Sequence, residues 1–177
     1  MSASLSILNM KALLVIDIQK SYFSRYDHNL LPKINERILE AEKSHWVIVY
    51  IKNTKRLRNR TLTEEFADGL AVLSDNVFCK YEANAFSSLK LLSFLQSKSI
   101  KELEIMGVDG NSCIKASVKG AIECGFSVMV PLDSVGVINQ TRFEKTKELF
   151  TELGVMRIPK CKEAEKAISS VDSPRIS

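Results

Sequence analysis

Three side chains able to do covalent chemistry follow apolar runs at separate points of the chain. Asp17 and Lys80 each close a run typical of a buried strand, and Cys113 stands a few residues after another such run. A carboxylate can take the proton of a thiol, and a nearby ammonium keeps the carboxylate ionised and favours the thiolate. A thiolate attacks an acyl carbon to give a thioester, which water then hydrolyses. These three residue types therefore predict acyl transfer, provided that the fold brings them together.

Cys113 itself lies in a turn between an apolar strand pattern and a helical pattern. The N-terminal end of a helix favours anions, so we expect this position to lower the pKa of the thiol. Backbone amides of the same turn can stabilise an oxyanion. The helical pattern after the turn consists of Ile114, Val118, Ala121 and Ile122.

Apolar strand patterns alternate with helical patterns along the whole chain. Such alternation predicts an α/β fold: a single-domain, three-layer α/β/α sandwich with a mainly parallel, roughly six-stranded, Rossmann-like sheet. The carboxyl ends of parallel strands meet at one edge, where we expect all three reactive residues. The predicted strands are 11–17, 46–51, 77–79, 101–107, 126–131 and 155–158. The predicted helices are 32–44, 63–73, 87–97, 111–124 and 139–153, and residues 52–62 are predicted to form a polar loop.

Composition narrows the class of protein. The chain has 177 residues, 45% of them hydrophobic, which suits one domain with a sizeable core. Its 25 basic and 21 acidic residues give a net charge of +4, which is weak evidence for nucleic-acid binding. No stretch approaches the roughly 18 apolar residues of a membrane helix, and residues 1–10 lack the pattern of a signal peptide. We therefore predict a cytoplasmic protein that has neither nucleic acid nor membrane as a partner.

Three segments of the sequence resemble the isochorismatase-like cysteine hydrolases, which include nicotinamidases, N-carbamoyl amidohydrolases and isochorismatases. Residues 12–23 are similar to the family's Asp-x-Gln-x-x-aromatic motif. Residues 77–86 are similar to its Lys followed by Ser/Asn-Ala-Phe. Residues 107–121 are similar to the segment around its nucleophile. The resemblance covers roughly residues 9 to 159.

This resemblance implies a role for each reactive side chain. Asp17 is expected to be the general base and acid, Lys80 its electrostatic partner, and Cys113 the nucleophile. A non-proline cis peptide bond is expected between Val108 and Asp109. The backbone amides of Asp109 and Cys113 are expected to form the oxyanion hole.

The resemblance also implies a substrate pocket and an assembly. Gln19, Tyr22 and Phe86 are expected in the pocket of a small-molecule substrate. A homo-oligomer, either a dimer or a tetramer, is expected. Residues 1–159 are predicted to form the hydrolase domain, and residues 160–177 a C-terminal helix or tail of the same domain.

The chain departs from the family pattern where metal-binding nicotinamidases carry an Asp and several His. Residues 52–79 contain no histidine, and His28 and His45 lie elsewhere. We therefore expect no metal ion and no other cofactor. The basic residues between Lys52 and Arg60 suit either a solvated loop or a contact with an anionic substrate, and the sequence leaves both open.

These observations predict a cysteine-dependent hydrolase acting on an amide or ureido C–N bond of a small molecule. A non-catalytic binding or regulatory protein on the same scaffold is an alternative, because a fold does not fix a function. A vinyl ether hydrolase of the isochorismatase type is another, although those enzymes often lack the cysteine. A nucleotide-binding protein is disfavoured, because the glycines at Gly107 and Gly110 lack the Gly-x-Gly-x-x-Gly spacing.

Overall fold

The computed structural model describes residues 10–57, 60–62 and 65–158. The strands are β1 (Lys11–Ile16), β2 (Val47–Asn53), β3 (Lys55–Leu57), β4 (Arg60–Leu62), β5 (Val77–Lys80), β6 (Glu102–Val108), β7 (Ser127–Pro131), β8 (Val135–Gly136) and β9 (Met156–Ile158). The α-helices are α1 (Lys20–Phe23), α2 (Leu30–Lys43), α3 (Leu89–Ser97), α4 (Lys115–Glu123) and α5 (Gln140–Glu152).

Seven of the described strands form one parallel sheet. Six of them run in the order β5-β2-β1-β6-β7-β9, and the short β8 pairs with the end of β6. Helices flank both faces, which confirms the predicted α/β fold with a mainly parallel sheet. Within the described ranges, every helix is too short or too polar to span a lipid bilayer.

Strand β1 shows why the central strands read as unbroken apolar runs. Ala12, Leu14 and Ile16 pack into the core shared with α3, α4 and α5. Leu13 and Val15 point to the opposite face and pack against α2. A strand covered on both faces buries every side chain, so the polar alternation of a half-exposed strand is lost.

The segment between β2 and β5 departs from the prediction. The polar loop expected at 52–62 contains an antiparallel hairpin of β3 and β4. The helix expected at 63–73 is wrong over Glu65–Leu73, which are not helical. Phe66 instead forms a β-bridge with Gln19, and the Ala67 amide donates to the Ile18 carbonyl over 2.9 Å. Long-range backbone pairing with the chain after β1 therefore overrides the local helical preference.

Other differences concern short elements. The sheet has seven strands in the described residues rather than roughly six, because the two-residue β8 carries no apolar run. The four-residue helix α1 was likewise not predicted. Thr63, Glu64 and the predicted tail at 160–177 lie outside the described residues.

A fully buried carboxylate ties α2 to the sheet. Glu104 of β6 has no exposed surface, and Arg37 of α2 donates to it through Nε over 2.8 Å. Lys11 of β1 reaches the same carboxylate at 3.4 Å and also covers the ring of Trp46 at 3.7 Å. Buried charges of this kind are tolerated because opposite charges and hydrogen bonds compensate their lost hydration.

Gly107 allows β6 to approach β1 closely just before the reactive cysteine. Its φ of +125° lies in a region that favours glycine. A Cβ atom at this position would collide with the backbone carbonyl of Ile16, the residue before Asp17. Because the two strands meet here, the turn that follows β6 starts directly beside Asp17.

Candidate active site

The three reactive residues lie at one edge of the sheet, after strands that are not all neighbours. Asp17 follows β1, Lys80 ends β5, and Cys113 lies in the turn after β6. Strand β2 separates β5 from β1, and neighbouring strands lie about 4.8 Å apart. A long side chain is therefore needed to reach from β5 across the end of β2, and lysine supplies that length.

Lys80 joins the other two residues. Its Nζ lies 2.9 Å from Asp17 Oδ2 and donates to Cys113 Sγ over 3.3 Å. A further hydrogen bond of 3.1 Å goes to the backbone carbonyl of Glu82. An ammonium has three N–H donors, so these three contacts use all of them. The ammonium is therefore fixed between the carboxylate and the sulfur.

The three side chains differ in their exposure. Asp17 is 3% exposed and Lys80 is 1% exposed, whereas Cys113 is partly exposed. Within the described part of the chain, Asp17 Oδ1 is buried without a partner at hydrogen-bond distance, as is the hydroxyl of Thr54 at the end of β2. A molecule arriving from solvent thus meets the thiol first, with the carboxyl behind it.

Burial governs the proton affinities at this site. Burial raises the pKa of Asp17 above its ordinary value, although the Lys80 ammonium pulls it down. Burial also raises the pKa of the Cys113 thiol, and the Asp17 carboxylate raises it further, while Lys80 only partly opposes both effects. The lowered thiol pKa expected from the helix terminus is therefore wrong. A raised pKa favours the protonated thiol over the thiolate at neutral pH.

Cys113 lies within a π-helical turn, Gly110–Ile114, that precedes α4. The peptide bond between Val108 and Asp109 is cis, as expected from the sequence resemblance. The carbonyl of Asp109 accepts hydrogen bonds from the amides on either side of the cysteine, Ser112 at 3.1 Å and Ile114 at 3.0 Å. The oxyanion hole at Asp109 and Cys113 stays a prediction.

The family of isochorismatase domains matches residues 11–155, a span that includes Asp17, Lys80 and Cys113. The chain belongs to this family. The sequence resemblance is therefore confirmed. No curated protein matches this isochorismatase-family chain by sequence.

Solved structures share the fold of this isochorismatase-family protein. A pyrazinamidase of Pyrococcus horikoshii in complex with zinc is 20% identical, with a TM-score of 0.72 over 85% of this chain and 99% of that chain. A nicotinamidase from Staphylococcus aureus is 24% identical, with a TM-score of 0.72 over 85% and 98%. An N-carbamoylsarcosine amidase from Thermoplasma acidophilum is 17% identical, with a TM-score of 0.71 over 83% and 94%. At these identities the likeness establishes the fold.

The zinc of the pyrazinamidase structure makes a metal ion worth testing against the residues present here. Among residues 10–57, 60–62 and 65–158, no three His, Cys, Asp or Glu side chains lie close enough to hold one. The sequence from Lys52 to Cys79 contains no histidine, a preferred zinc ligand. These donors do not fit such a metal, and the mechanism below uses none.

Two of the predicted pocket residues have structural contacts. The side chain of Gln19 is fully buried, and its amide both donates to and accepts from the backbone of Asn53, at 3.3 and 2.7 Å. Phe86 is 7% exposed and packs in the core, with its ring centroid 5.7 Å from that of Phe126. Tyr22 is half-buried in α1, and its role in a pocket stays a prediction.

Side chains from distant segments hold the cysteine turn in place, and the local sequence patterns did not indicate them. The side chain of Asn111 donates to the carbonyl of Asn139 at 2.9 Å and accepts from Thr146 of α5 at 2.9 Å. The carboxylate of Asp109 accepts from the hydroxyl of Tyr26 at 3.3 Å. The polar residues before Cys113 were a visible signal, but their partners come from distant segments of the sequence.

Proposed function

We propose that this isochorismatase-family protein is a cysteine-dependent hydrolase that cleaves an amide or ureido C–N bond of a small molecule. The proposal rests on the position of the Lys80 ammonium, which contacts both the Asp17 carboxyl and the Cys113 sulfur. A buried acid and a buried cation beside a partly exposed thiol, at the carboxyl edge of a parallel sheet, suit nucleophilic acyl transfer. Metal and organic cofactors have no part in the proposed reaction.

The first half of the reaction adds the Cys113 sulfur to the substrate carbonyl and gives a tetrahedral adduct. Asp17 takes the thiol proton as Cys113 Sγ attacks the substrate carbonyl carbon, so that a C–S bond forms and the carbonyl oxygen gains negative charge. The raised pKa of Asp17 makes it a stronger base than an ordinary aspartate. Lys80 stabilises the carboxylate before the transfer and the negative charge that develops on sulfur as the proton leaves. The backbone amides of Asp109 and Cys113 are proposed to receive the oxyanion.

The second half releases the products. Protonated Asp17 gives its proton to the leaving nitrogen, the carbonyl re-forms as the C–N bond breaks, and ammonia or an amine departs to leave a thioester. Asp17, again a carboxylate, takes a proton from water, and the resulting hydroxide attacks the thioester carbon. The C–S bond breaks, and the proton returns from Asp17 to sulfur, which restores the resting thiol.

The solved relatives support a C–N bond as the target. One is a nicotinamidase, one a pyrazinamidase and one an N-carbamoylsarcosine amidase. The nucleophilic cysteine favours amide cleavage over vinyl ether hydrolysis, which needs no thioester. We also propose that the protein works in the cytoplasm as a homo-oligomer.

A small panel of substrates tests the reaction class. Nicotinamide, pyrazinamide and N-carbamoylsarcosine are incubated with the full chain, and ammonia release is followed with and without a chelator. We expect release from at least one of them and no effect of the chelator. Absence of release from all three, or release that stops on chelation, would count against the proposal as stated.

Asp17→Asn tests whether Asp17, Lys80 and Cys113 work together in catalysis. The variant should speed alkylation of Cys113 and slow ammonia release. Without the carboxylate, the thiol loses a cause of its raised pKa and keeps the Lys80 ammonium. Alkylation of Cys113 by iodoacetamide at pH 7.5 should therefore become about three- to tenfold faster. Ammonia release should fall at least about 100-fold, because the base is gone.

The alkylation is measured at the Cys113 peptide by mass spectrometry, because Cys79 and Cys124 are also exposed free thiols. Asp75→Asn is the matched control. Asp75 is an exposed carboxylate that precedes β5, so it lies at the amino ends of the strands, away from the carboxyl ends where Cys113 lies. This variant should change neither measurement. Slower alkylation in Asp17→Asn would contradict the charge effect of the carboxylate on the thiol pKa, and undiminished ammonia release would contradict its role as the base.

A further inference from the structure

The Asp109 carboxylate, in the turn that carries the nucleophile, accepts hydrogen bonds from separate segments of the chain. Its Oδ1 accepts from the amide of Asn111 at 2.8 Å, within that turn. Its Oδ2 accepts from the amide of Ile138 at 3.1 Å, between β8 and α5, and from the hydroxyl of Tyr26 at 3.3 Å, between α1 and α2. The Asp109 carboxylate therefore connects the turn to both flanking loops.

The Tyr26 ring is held in place independently of its hydroxyl. It is half-buried and packs beside Gly136, where an added Cβ atom would approach the ring to 2.8 Å. The Phe23 ring lies 6.5 Å away, centroid to centroid. Burial raises the pKa of Tyr26, and the charge of Asp109 raises it further, so the hydroxyl stays protonated as a donor. A fixed ring directs this donor at Asp109.

The backbone carbonyl of Asp109 is hydrogen-bonded to the residues on either side of the nucleophile. Its carbonyl accepts from the amides of Ser112 and Ile114, the two neighbours of Cys113. A displacement of Asp109 therefore moves both sides of the cysteine. The Cys113 Sγ contact with Lys80, at 3.3 Å, depends on that placement.

We infer that Tyr26 and Asp109 form a positioning pair, in which the tyrosine hydroxyl orients the Asp109 carboxylate and thereby holds the Cys113 turn in register with Lys80. The inference rests on the proposed function for its catalytic consequence. Neither side chain is assigned contact with the substrate. The pair joins the loop after α1 to a turn 83 positions further along the sequence.

Tyr26→Phe tests the pair, because it removes the hydroxyl and keeps the ring. Alkylation of Cys113 by iodoacetamide should slow about three- to tenfold, because a small displacement breaks the 3.3 Å contact with Lys80, which favours the thiolate, while the charge of Asp17 still acts over the longer distance. On whichever of the three amides is hydrolysed, kcat should fall by a similar factor with KM nearly unchanged. Tyr50→Phe is the matched control, because this buried hydroxyl accepts from Leu73 and donates to Ala71 away from the turn. It should lower the melting temperature and leave both rates unchanged.

Asp109→Asn provides a second, independent variant. Either orientation of the new amide sets an N–H donor against the backbone N–H of Asn111 or Ile138, so the turn must shift. A coupled pair is non-additive, so Tyr26→Phe in the Asp109→Asn background should cause no further slowing. Wild-type rates in Tyr26→Phe, or purely additive slowing, would overturn the inference. Slowed alkylation without hydrolysis of any amide would uphold the pair and refute the proposed function.

Discussion

Cys113→Ala should abolish amide hydrolysis, lowering kcat by at least about 10⁴-fold while the fold is retained. Without sulfur there is no thioester, and the buried Asp17 and Lys80 keep their contact with each other. The thiol is partly exposed and its loss removes one atom, so packing changes little. Ammonia release from the best of the three amides measures the effect, and circular dichroism confirms the fold.

Cys124→Ala is the control for this variant, because Cys124 is an exposed thiol that follows α4. It should leave turnover unchanged. Residues that act as a unit are non-additive, so Asp17→Asn combined with Cys113→Ala should be no slower than Cys113→Ala alone. Full turnover in Cys113→Ala would rule out the thioester mechanism and favour a binding or regulatory role for the site.

Lys80→Met should reduce both activity and stability at neutral pH. Methionine keeps most of the aliphatic length but leaves the Asp17 carboxylate, 3% exposed, without its cation. Removing one partner of a buried ion pair costs about 3–5 kcal/mol. Turnover should fall about 10³-fold, because neither the carboxylate nor the sulfur charge is stabilised. Urea denaturation gives the stability, and ammonia release gives the rate.

The stability loss of Lys80→Met should depend on pH. Burial already raises the pKa of Asp17 in the folded protein, and removing the ammonium raises it further. A raised folded-state pKa means that the folded protein holds this proton more tightly than the unfolded chain. The variant is therefore least impaired at acid pH, below the ordinary aspartate pKa, and loses stability as the pH rises through the raised value.

The double variant Lys80→Met with Asp17→Asn is the control, because it removes both charges. It should recover most of the stability lost at neutral pH and none of the activity. A single variant as stable as the wild type at neutral pH would show that Asp17 does not need Lys80 as its counter-ion.

Local hydrophobic patterns predicted the main strands and helices, because the formation of each element depends largely on residues close together in the sequence. Strand β1 was visible as an unbroken apolar run, since both of its faces are covered. The segment Glu65–Leu73 was mispredicted, because its helical pattern competes with a backbone pairing to Gln19 that no local pattern shows. Phe86 packs in the core beside α4, where its neighbour Ala85 donates to Ser117 over 3.0 Å, and its role in the pocket stays a prediction.

By itself, the sequence determined which residue types end the apolar runs, and so placed Asp17, Lys80 and Cys113 at one edge of a parallel sheet. The tertiary structure decided how they interact: Lys80 reaches across β2 to both partners, and burial raises the pKa of the thiol instead of lowering it. It also brought Tyr26 to Asp109. Strand ends follow from local hydrophobicity, whereas desolvation and hydrogen bonds between distant segments exist only once the chain has folded.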